Sequence, residues 1–233
     1  MSRKVALVTG VGPGTGASVV KRLLLGGCEV AMIARNADRL KEFALANSGS
    51  HPFPVDVTDQ GQFNQILDRV CDTLGNPEVV IHNAVGGTFG NFLKIDPLAL
   101  EKNFQTNVMA FLLLARRVAP AMIEAGRGCI IASGNTSALR GKSDFAGFAP
   151  TKAAQRILAE SIARELGPKG VHVAYVLIDA VIDLEWTRKM RPDAPDGFFI
   201  KPATIADEIW HVIHQPRSAW SFNVEVRPYA ETW

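Results

Sequence analysis

The stretch from Val5 to Gly16 constrains the fold more than any other part of this chain. Residues 5–8 form a short apolar run typical of a buried strand, and residues 9–16 contain four glycines. Residues 17–24 then have helical spacing and helix-forming composition. A strand, a glycine turn and a helix in this order let a diphosphate approach the backbone without a Cβ in the way, and the helix start attracts its charge. The stretch therefore predicts a dinucleotide-binding turn built on Gly10, Gly14 and Gly16.

Strands and helices alternate strictly along the first 82 residues. Strand-like runs at residues 29–34, 51–55 and 78–82 are separated by helical patterns at residues 38–47 and 62–74. Such alternation requires a parallel sheet covered by helices on both faces, with its ligand site at the carboxyl ends of the strands. The 233 residues are 47% hydrophobic and contain no Pro/Ser-rich linker. We therefore expect a single α/β domain over residues 1–233, with a doubly wound parallel sheet.

Composition excludes several classes of partner. The net charge is +2 and the charged residues, 21% of the chain, are mixed in sign, so no nucleic-acid surface is predicted. The longest apolar run, residues 108–115, is too short for a bilayer, which predicts a soluble, cytoplasmic protein without membrane contact. Three widely spaced cysteines predict buried thiols. His211 and His214 share a helix but have no third ligand at matching spacing, so no metal site is expected.

The second strand ends at the position that inspects the adenosine ribose in a dinucleotide fold. An acidic residue there would bond the 2′-hydroxyl, but the strand ends in Ala34 and the next side chain is the guanidinium of Arg35. A charge-assisted pair with a phosphate contributes roughly 1.5–3 kcal/mol, which is about 10- to 100-fold in affinity. Arg35 therefore favours NADP over NAD as cofactor. A solvated loop arginine is the alternative.

Several further motifs occur in a fixed order, and together they resemble the short-chain dehydrogenase/reductase family over nearly the whole chain. They are Thr9-Gly10 with Gly14 and Gly16, Asp56-Val57, His82-Asn83-Ala84, Asn107, Phe148-Ala149-Pro150-Thr151-Lys152, and the run from Ala163 to Val173. The resemblance implies a Rossmann fold and an NAD(P)-dependent oxidoreductase.

The resemblance also implies roles for individual residues. Asp56 and Val57 would flank the adenine, and Asn83 and Lys152 would position the ribose and nicotinamide. Asn107 lies in a helix predicted over residues 97–125 and would hold a water in the proton path. A local structural role for Asn107 in a kinked helix, and a surface position for Lys152, are the alternatives.

Two catalytic positions depart from the family. Asn135 stands where the family has its serine, with Thr136 and Ser137 next, and Phe148 stands where it has its tyrosine. A phenyl ring has no proton to give, and general acid catalysis typically contributes about 10²–10⁴-fold. Thr136, Ser137 and Lys152 are candidate replacement donors that the sequence does not rank, and Asn135 could donate an amide hydrogen bond. A polar loop is the alternative for Asn135.

The segment after the predicted strand 171–178 also departs from the family. Residues 179–183 replace its Pro-Gly pair, and Asp183 falls where a threonine meets the cofactor. A carboxylate beside a diphosphate is unfavourable, so Asp183 is expected to turn away or to bond the carboxamide amine. Residues 184–199 are predicted to form a substrate lid. Trp186, Phe198 and Phe199 are expected either to line its pocket or to pack in the core.

The C-terminal part is predicted to contain a helix over residues 204–214 and a last strand over residues 219–226. By analogy with the family, an apolar tail ending at Trp233 implies a homodimer or homotetramer. The sequence thus predicts an oxidoreductase that transfers hydride between NADP(H) and a small carbonyl, an alcohol or an activated double bond. The alternative is a dinucleotide-binding sensor or partner subunit without turnover.

Overall fold

The computed structural model describes residues 4–231, within which strands and helices alternate as expected. The strands are β1 Val5–Thr9, β2 Glu29–Ala34, β3 Ser50–Pro54, β4 Val79–His82, β5 Gly128–Gly134, β6 Val171–Ile178, β7 Val181–Ile182, β8 Phe199–Ile200 and β9 Asn223–Val226. The α-helices are α1 Thr15–Leu25, α2 Ala37–Ala46, α3 Gln60–Leu74, α4 Pro97–Phe104, α5 Ala110–Glu124, α6 Ala149–Leu166, α7 Glu185–Met190 and α8 Pro202–Ile213.

Seven of these strands form one parallel sheet in the order β3-β2-β1-β4-β5-β6-β9. The strand order reverses direction between β1 and β4, which is the switch point where such sheets open a crevice for ligands. This arrangement is the doubly wound parallel sheet that the alternating pattern predicts.

The sheet is covered on both faces, and neighbouring residues of a strand point to opposite sides of it. Leu7 belongs to the cluster with α3, α5 and α6, which includes the fully buried Phe63 and Phe111. Val8 belongs to the opposite cluster with α1 and α8, which includes Ile209. The central strands β1, β4 and β6 are therefore buried on both faces, as their continuous apolar runs require.

The helix expected over residues 97–125 is interrupted. A π-helical turn, Gln105–Met109, separates α4 from α5. The stretch Pro97–Glu124 meets the length and composition of a membrane span, with 39% of its most apolar window buried. A core helix meets the same criteria, and Phe111 and Leu114 of α5 lie fully buried against the sheet.

The last strand is shorter than the sequence suggests. A 3-10 turn occupies Arg217–Ala219, and pairing with β6 begins only at Asn223. Trp220 explains the late start, because its ring stacks on His172 and its indole N–H donates to the carbonyl of Gln215. Tyr229 is exposed, and the last tail residues of the oligomer prediction, Thr232 and Trp233, lie outside the described residues.

Candidate functional site

A groove with a volume of about 820 Å³ runs along the carboxyl ends of the central strands. It brings together seven of the residues singled out from the sequence: Gly10, Gly14, Gly16, Arg35, Asp56, Val57 and Asn83. The other five, Asn107, Asn135, Phe148, Lys152 and Asp183, do not line this groove. The first set comes from loops that directly follow β1, β2, β3 and β4, so its convergence follows from the parallel sheet.

Close packing of the backbone requires glycine at two positions of the turn. Gly10 has φ +70°, and a Cβ there would lie 2.5 Å from the backbone nitrogen of Ala84. A Cβ on Gly16 would lie 2.4 Å from the carbonyl oxygen of Gly10. Both contacts involve backbone atoms, which cannot move aside as a flexible side chain could. The glycine turn is therefore tight because the strand end and helix start touch.

The start of α1 has the features of an anion site. Gly14 is its N-cap residue and offers no side-chain cap. The amide of Ala17 donates to the carbonyl of Gly12 at 3.0 Å, so the amides of Thr15 and Gly16 are the ones left to bind an anion. The Thr15 hydroxyl is buried and has no hydrogen-bond partner. Unsatisfied buried groups at a helix start favour a bound anion through hydrogen bonds and the helix dipole. These residues fit a diphosphate.

The opposite part of the groove is lined by cationic side chains of Arg35, Arg39 and Lys102. Asp56 lies beside them, and its Oδ1 accepts hydrogen bonds from the amide and hydroxyl of Thr58 at 3.0 and 2.8 Å. Desolvation alone would raise the pKa of Asp56, but these bonds and the charges of Arg35 and Lys102 hold it below its ordinary value. The region is thus positive, with one ionised carboxylate turned toward its own loop.

Asn83 connects the glycine turn to the end of β5. Its Nδ2 donates to the carbonyl of Gly10 at 2.9 Å, and its Oδ1 accepts from the Ser133 hydroxyl at 3.0 Å. Both ends of the amide are therefore used by the scaffold, while the side chain lines the groove.

His82 precedes Asn83 and is fully buried. Its Nε2 lies 3.1 Å from the carbonyl of Thr106 and its Nδ1 lies 3.0 Å from the hydroxyl of Thr9. A carbonyl only accepts, so the proton is on Nε2 and Nδ1 accepts from Thr9. Burial, reinforced by the charge of Lys152, lowers the pKa of His82 to about 3. The neutral ring ties β1, β4 and the π-helical turn together.

Asn107 occupies the π-helical turn and is fully buried. Its Oδ1 accepts from the amide of Gly86, and its Nδ2 donates to the carbonyl of Gly86 and to the hydroxyl of Thr151. The three bonds are 2.8–2.9 Å long. π-helical turns are rare and frequently lie at functional sites. Here the turn fixes the loop after β4 to the start of α6.

Lys152 is buried behind the groove rather than on the surface. Its Nζ donates to the carbonyl of Ser133 at 2.9 Å and to Oε1 of Gln155 at 2.6 Å. Both acceptors are neutral, and burial lowers the pKa of Lys152 to about 7. One further hydrogen bond separates it from the groove, because the Ser133 hydroxyl binds Asn83.

Asn135 caps a 3-10 turn, Thr136–Ala138, with its Oδ1 accepting from the amide of Ser137. The Thr136 hydroxyl donates to Asp179 at 2.6 Å, so its proton is already engaged. Ser137 lines a second cavity of about 550 Å³ beside Phe145 and Ala149. Of the three candidate donors, Thr136 is hydrogen-bonded to Asp179 and Lys152 is buried behind the groove. Ser137 lines the second cavity.

Phe148 lies one helical turn before Lys152, since the amide of Lys152 bonds to its carbonyl. Its side chain is 5% exposed. Its ring centroid lies 5.0 Å from that of Phe89 and 6.5 Å from that of Phe145. The helix start that carries a phenol in the family therefore carries a small aromatic cluster here.

Asp183 turns away from the groove, which is the first of the two expected arrangements. Both carboxylate oxygens accept from the guanidinium of Arg188, at 2.6 and 3.0 Å, and these bonds hold the pKa of Asp183 below its ordinary value. The same guanidinium reaches Asp196 and lies over the ring of Phe199. The predicted lid is therefore an ordered segment consisting of α7, a turn and β8.

The aromatic residues of that segment divide between the two expected uses. Trp186 lines the groove and is 60% exposed. Phe199 is buried in β8 and has Phe198 against its ring edge. Tyr175 is fully buried in β6, as expected for a core residue, and burial raises its pKa above the ordinary value.

Sequence reasoning did not assign roles to several residues that shape the site: Arg39, Lys102, His82, Ser133 and Gln155. Arg39 lies in the first turn of α2, four residues after Arg35, so its closeness in sequence to the end of β2 was an available signal. Gln155 lies three residues after Lys152, on the same helical face. His82 and Ser133 had only their places at strand ends as a signal. Lys102 had none, because its position depends on how α4 approaches the sheet.

No group of three His, Cys, Asp or Glu side chains within residues 4–231 is arranged to hold a metal ion.

Comparison with known proteins gives consistent matches over almost the whole chain. An uncharacterized oxidoreductase of Staphylococcus aureus (strain MRSA252) is 25% identical over 230 residues, which is 98% of each chain. A short-chain dehydrogenase from Rhodopseudomonas palustris has 29% identity and a TM-score of 0.82, covering 97% of this chain and 99% of that one. A metagenomic short-chain oxidoreductase, solved in complex with NADP, has 28% identity and a TM-score of 0.83, covering 98% and 99%.

The family profile described as short chain dehydrogenase matches residues 4–193, a span that includes the glycine turn, the π-helical turn and α6. The matched span, the parallel seven-stranded sheet and the oxidoreductase relatives agree. This chain belongs to the short-chain dehydrogenase family of oxidoreductases.

Proposed function

We propose that the groove binds NADP(H) and that the protein transfers hydride between this cofactor and a small carbonyl, an alcohol or an activated double bond. The observation that carries the proposal is the distribution of charge in one groove. Unsatisfied polar groups at the start of α1 stand at one part of it, and Arg35, Arg39 and Lys102 stand at another. In NADP(H), the diphosphate would carry negative charge to the start of α1, and the 2′-phosphate would carry it to the cationic side chains.

At the diphosphate, the first amides of α1 and the Thr15 hydroxyl would donate hydrogen bonds. Asp56 and Val57 would hold the adenosine, and Arg35 and Arg39 would bind a 2′-phosphate. Each charge-assisted contact contributes roughly 1.5–3 kcal/mol, or about 10- to 100-fold in affinity. Arg35 and Arg39 are exposed, so solvent screening favours the lower part of that range. The relative solved with NADP is consistent with this assignment.

The bound cofactor would supply or accept the hydride. This chain's residues would orient it and handle the proton. Asn83, Trp186 and the loop after β4, which Asn107 pins, line the remaining groove. Lys152 stands behind Ser133 and Asn83 and would help to hold the ribose.

The lack of a general acid at Phe148 restricts the class of substrate. Phe148 has no proton to donate, and the Thr136 hydroxyl already donates its hydrogen bond to Asp179. Ordinary carbonyl reduction is therefore expected to be slower by about 10²–10⁴-fold than with a phenolic acid. Substrates that need little protonation at the moment of hydride transfer, such as conjugated double bonds, are disfavoured least.

A second candidate is a dinucleotide-binding sensor or partner subunit without turnover. The observation that favours it is the burial of Phe148 against Phe89, which fills the start of α6 with apolar surface. In that case the groove would bind the cofactor as tightly as an enzyme does, but no substrate would be reduced.

Calorimetric titration with NADPH and separately with NADH at fixed salt tests the shared part of both candidates. Tight NADPH binding with much weaker NADH binding is expected. If neither NADPH nor NADH binds, both candidates are refuted. A substrate screen that follows NADPH oxidation, including conjugated aldehydes and ketones, then separates enzyme from sensor.

We further infer a soluble cytoplasmic homodimer or homotetramer whose ligands are small molecules, without nucleic-acid or membrane partners. The exposed apolar side chain of Leu98 on α4 supports the oligomer. Light scattering during size-exclusion chromatography measures the subunit number directly, and a monomer would refute that part.

A further inference from the structure

Gln155 lies fully buried behind the cofactor groove and spans two groups of the site. Its Oε1 accepts from the Nζ of Lys152 at 2.6 Å, and its Nε2 donates to the main-chain carbonyl of Asn107 at 2.7 Å. The hydroxyl of Tyr175 lies 3.2 Å from the same Oε1. A buried amide is unfavourable unless its polar atoms are paired. Here both ends of the amide are paired.

The orientation of this amide follows from its partners. An ammonium only donates, so Lys152 requires the amide oxygen. A main-chain carbonyl only accepts, so Asn107 requires the amide nitrogen. The reversed amide would place donor against donor at Lys152 and acceptor against acceptor at Asn107. Gln155 therefore has one satisfactory arrangement, which fixes the ammonium in turn.

Both partners of Gln155 are themselves held in place. Asn107 lies in the π-helical turn, and its side chain is bonded to Gly86 and Thr151. Lys152 is bonded to the carbonyl of Ser133 as well as to Gln155. The gap between the Asn107 carbonyl and the Lys152 ammonium is therefore bridged by one side chain within a rigid frame.

The bridging group determines whether protons can pass. A water or hydroxyl between an ammonium and a carbonyl both donates and accepts, so it can take one proton and release another. A primary amide has separate donor and acceptor atoms. To relay a proton it would have to lose one from nitrogen and gain one on oxygen, which requires the unstable imidic acid form. The amide thus holds Lys152 without providing it with a proton path.

We propose that Gln155 is a positioning residue that holds the Lys152 ammonium against Ser133 and occupies the space a relay water would need. Below its pKa, Lys152 then serves as a cation in a fixed position and does not exchange protons rapidly with solvent through Asn107. One consequence rests on the proposed function: in a reductase built this way, the proton for the substrate does not reach the site through Lys152.

The test follows the Lys152 ammonium itself by NMR, with ¹⁵N-labelled lysine and the signal assigned by its loss in Lys152→Arg. Hydrogen exchange with water is measured at mildly acidic pH in the wild type and in two variants. Gln155→Ala removes the amide and leaves room for a water. Gln155→Met is the matched control, because it fills nearly the same volume without an amide.

We expect slow exchange in the wild type, exchange faster by about tenfold or more in Gln155→Ala, and a rate within about threefold of wild type in Gln155→Met. Titration of the same signal provides a second readout. Gln155→Met should lower the pKa of Lys152 further, since the charged form loses an acceptor. Gln155→Ala should change it less, because water replaces the amide oxygen.

A wild-type exchange rate in Gln155→Ala, or equal acceleration in both variants, would overturn the proposal. If the variants do not fold, a high-resolution crystal structure of the wild type decides. A bridging water between Lys152 Nζ and Asn107 O, with Gln155 turned away, would refute the inference, and a direct amide bridge would support it. None of these measurements uses a dinucleotide or a substrate. A result that refutes the role of Gln155 is therefore distinct from a result that refutes the proposed function.

Discussion

Replacing Gly16 by alanine sets helix propensity against packing, and the structure indicates which effect is larger. Gly16 and Gly61 both occupy the second position of a helix, in α1 and α3. Alanine in a helix is favoured over glycine by roughly 0.5–1 kcal/mol, so propensity alone predicts that both substitutions stabilise the fold. The surroundings of the two positions differ.

At Gly61 an added Cβ would meet only the Asp59 carboxylate at 3.6 Å, an ordinary contact. At Gly16 it would lie 2.4 Å from the carbonyl oxygen of Gly10 and 2.9 Å from the Cα of Val11. Both are backbone atoms, so the whole turn must shift, and overpacking of this kind costs about 1–3 kcal/mol. Subtracting the propensity gain leaves Gly16→Ala less stable by about 1 kcal/mol.

Urea denaturation of the wild type and both variants, followed by circular dichroism, measures the difference at constant m value. Gly61→Ala should raise the free energy of unfolding by roughly 0.5–1 kcal/mol and Gly16→Ala should lower it. Gly16→Ala should also weaken dinucleotide binding, because the shifted turn carries the diphosphate site. Equal stabilisation by both substitutions would show that the turn is not as tight as described.

Three further outcomes are expected. Arg35→Ala should weaken NADPH binding by about 10- to 100-fold and NADH binding little, by calorimetry at fixed salt; an equal loss for both would contradict the phosphate role. Phe148→Tyr should accelerate NADPH-dependent reduction of a reactive carbonyl by about 10²-fold or more, by absorbance, and no gain would indicate that the substrate pocket is absent. Burial lowers the pKa of Lys152 from 10.5 to about 7, so the folded state binds fewer protons than the unfolded state between those values. The free energy of unfolding should therefore rise with pH across that window, and Lys152→Met, compared by urea denaturation, should remove this rise; identical slopes would contradict the buried position of the ammonium.

Much of the fold could be predicted from local patterns. The central strands β1, β2, β4, β5 and β6 are short, mainly apolar runs. The helices that cover them have their own periodicity, and the alternation of the two predicts a parallel sheet. The spacing of Phe148 and Lys152 is also local, since four residues make one helical turn. The π-helical turn was not predicted, because it changes the hydrogen bonding of a helix whose composition is otherwise regular.

The cofactor end of the site was predictable for the same reason. Gly10, Arg35 and Asn83 directly follow neighbouring strands, and parallel strands end at one edge of the sheet. Their meeting is therefore a consequence of strand order and needs no knowledge of side-chain packing. Lys102 also lines this end but comes from α4, whose approach to the sheet no local pattern specifies.

Only the tertiary structure decided what the buried polar groups bind. The sequence by itself determined that Phe148 cannot donate a proton, that Lys152 follows one turn later and that Asp183 is a carboxylate. It did not determine that Arg188 takes both oxygens of Asp183 or that Gln155 stands between Lys152 and Asn107. The bond from Gln155 to Asn107 joins α6 to the π-helical turn, and on the surface the same amide would be equally satisfied by water. Burial removes the water, so the packing of the elements selects the partner.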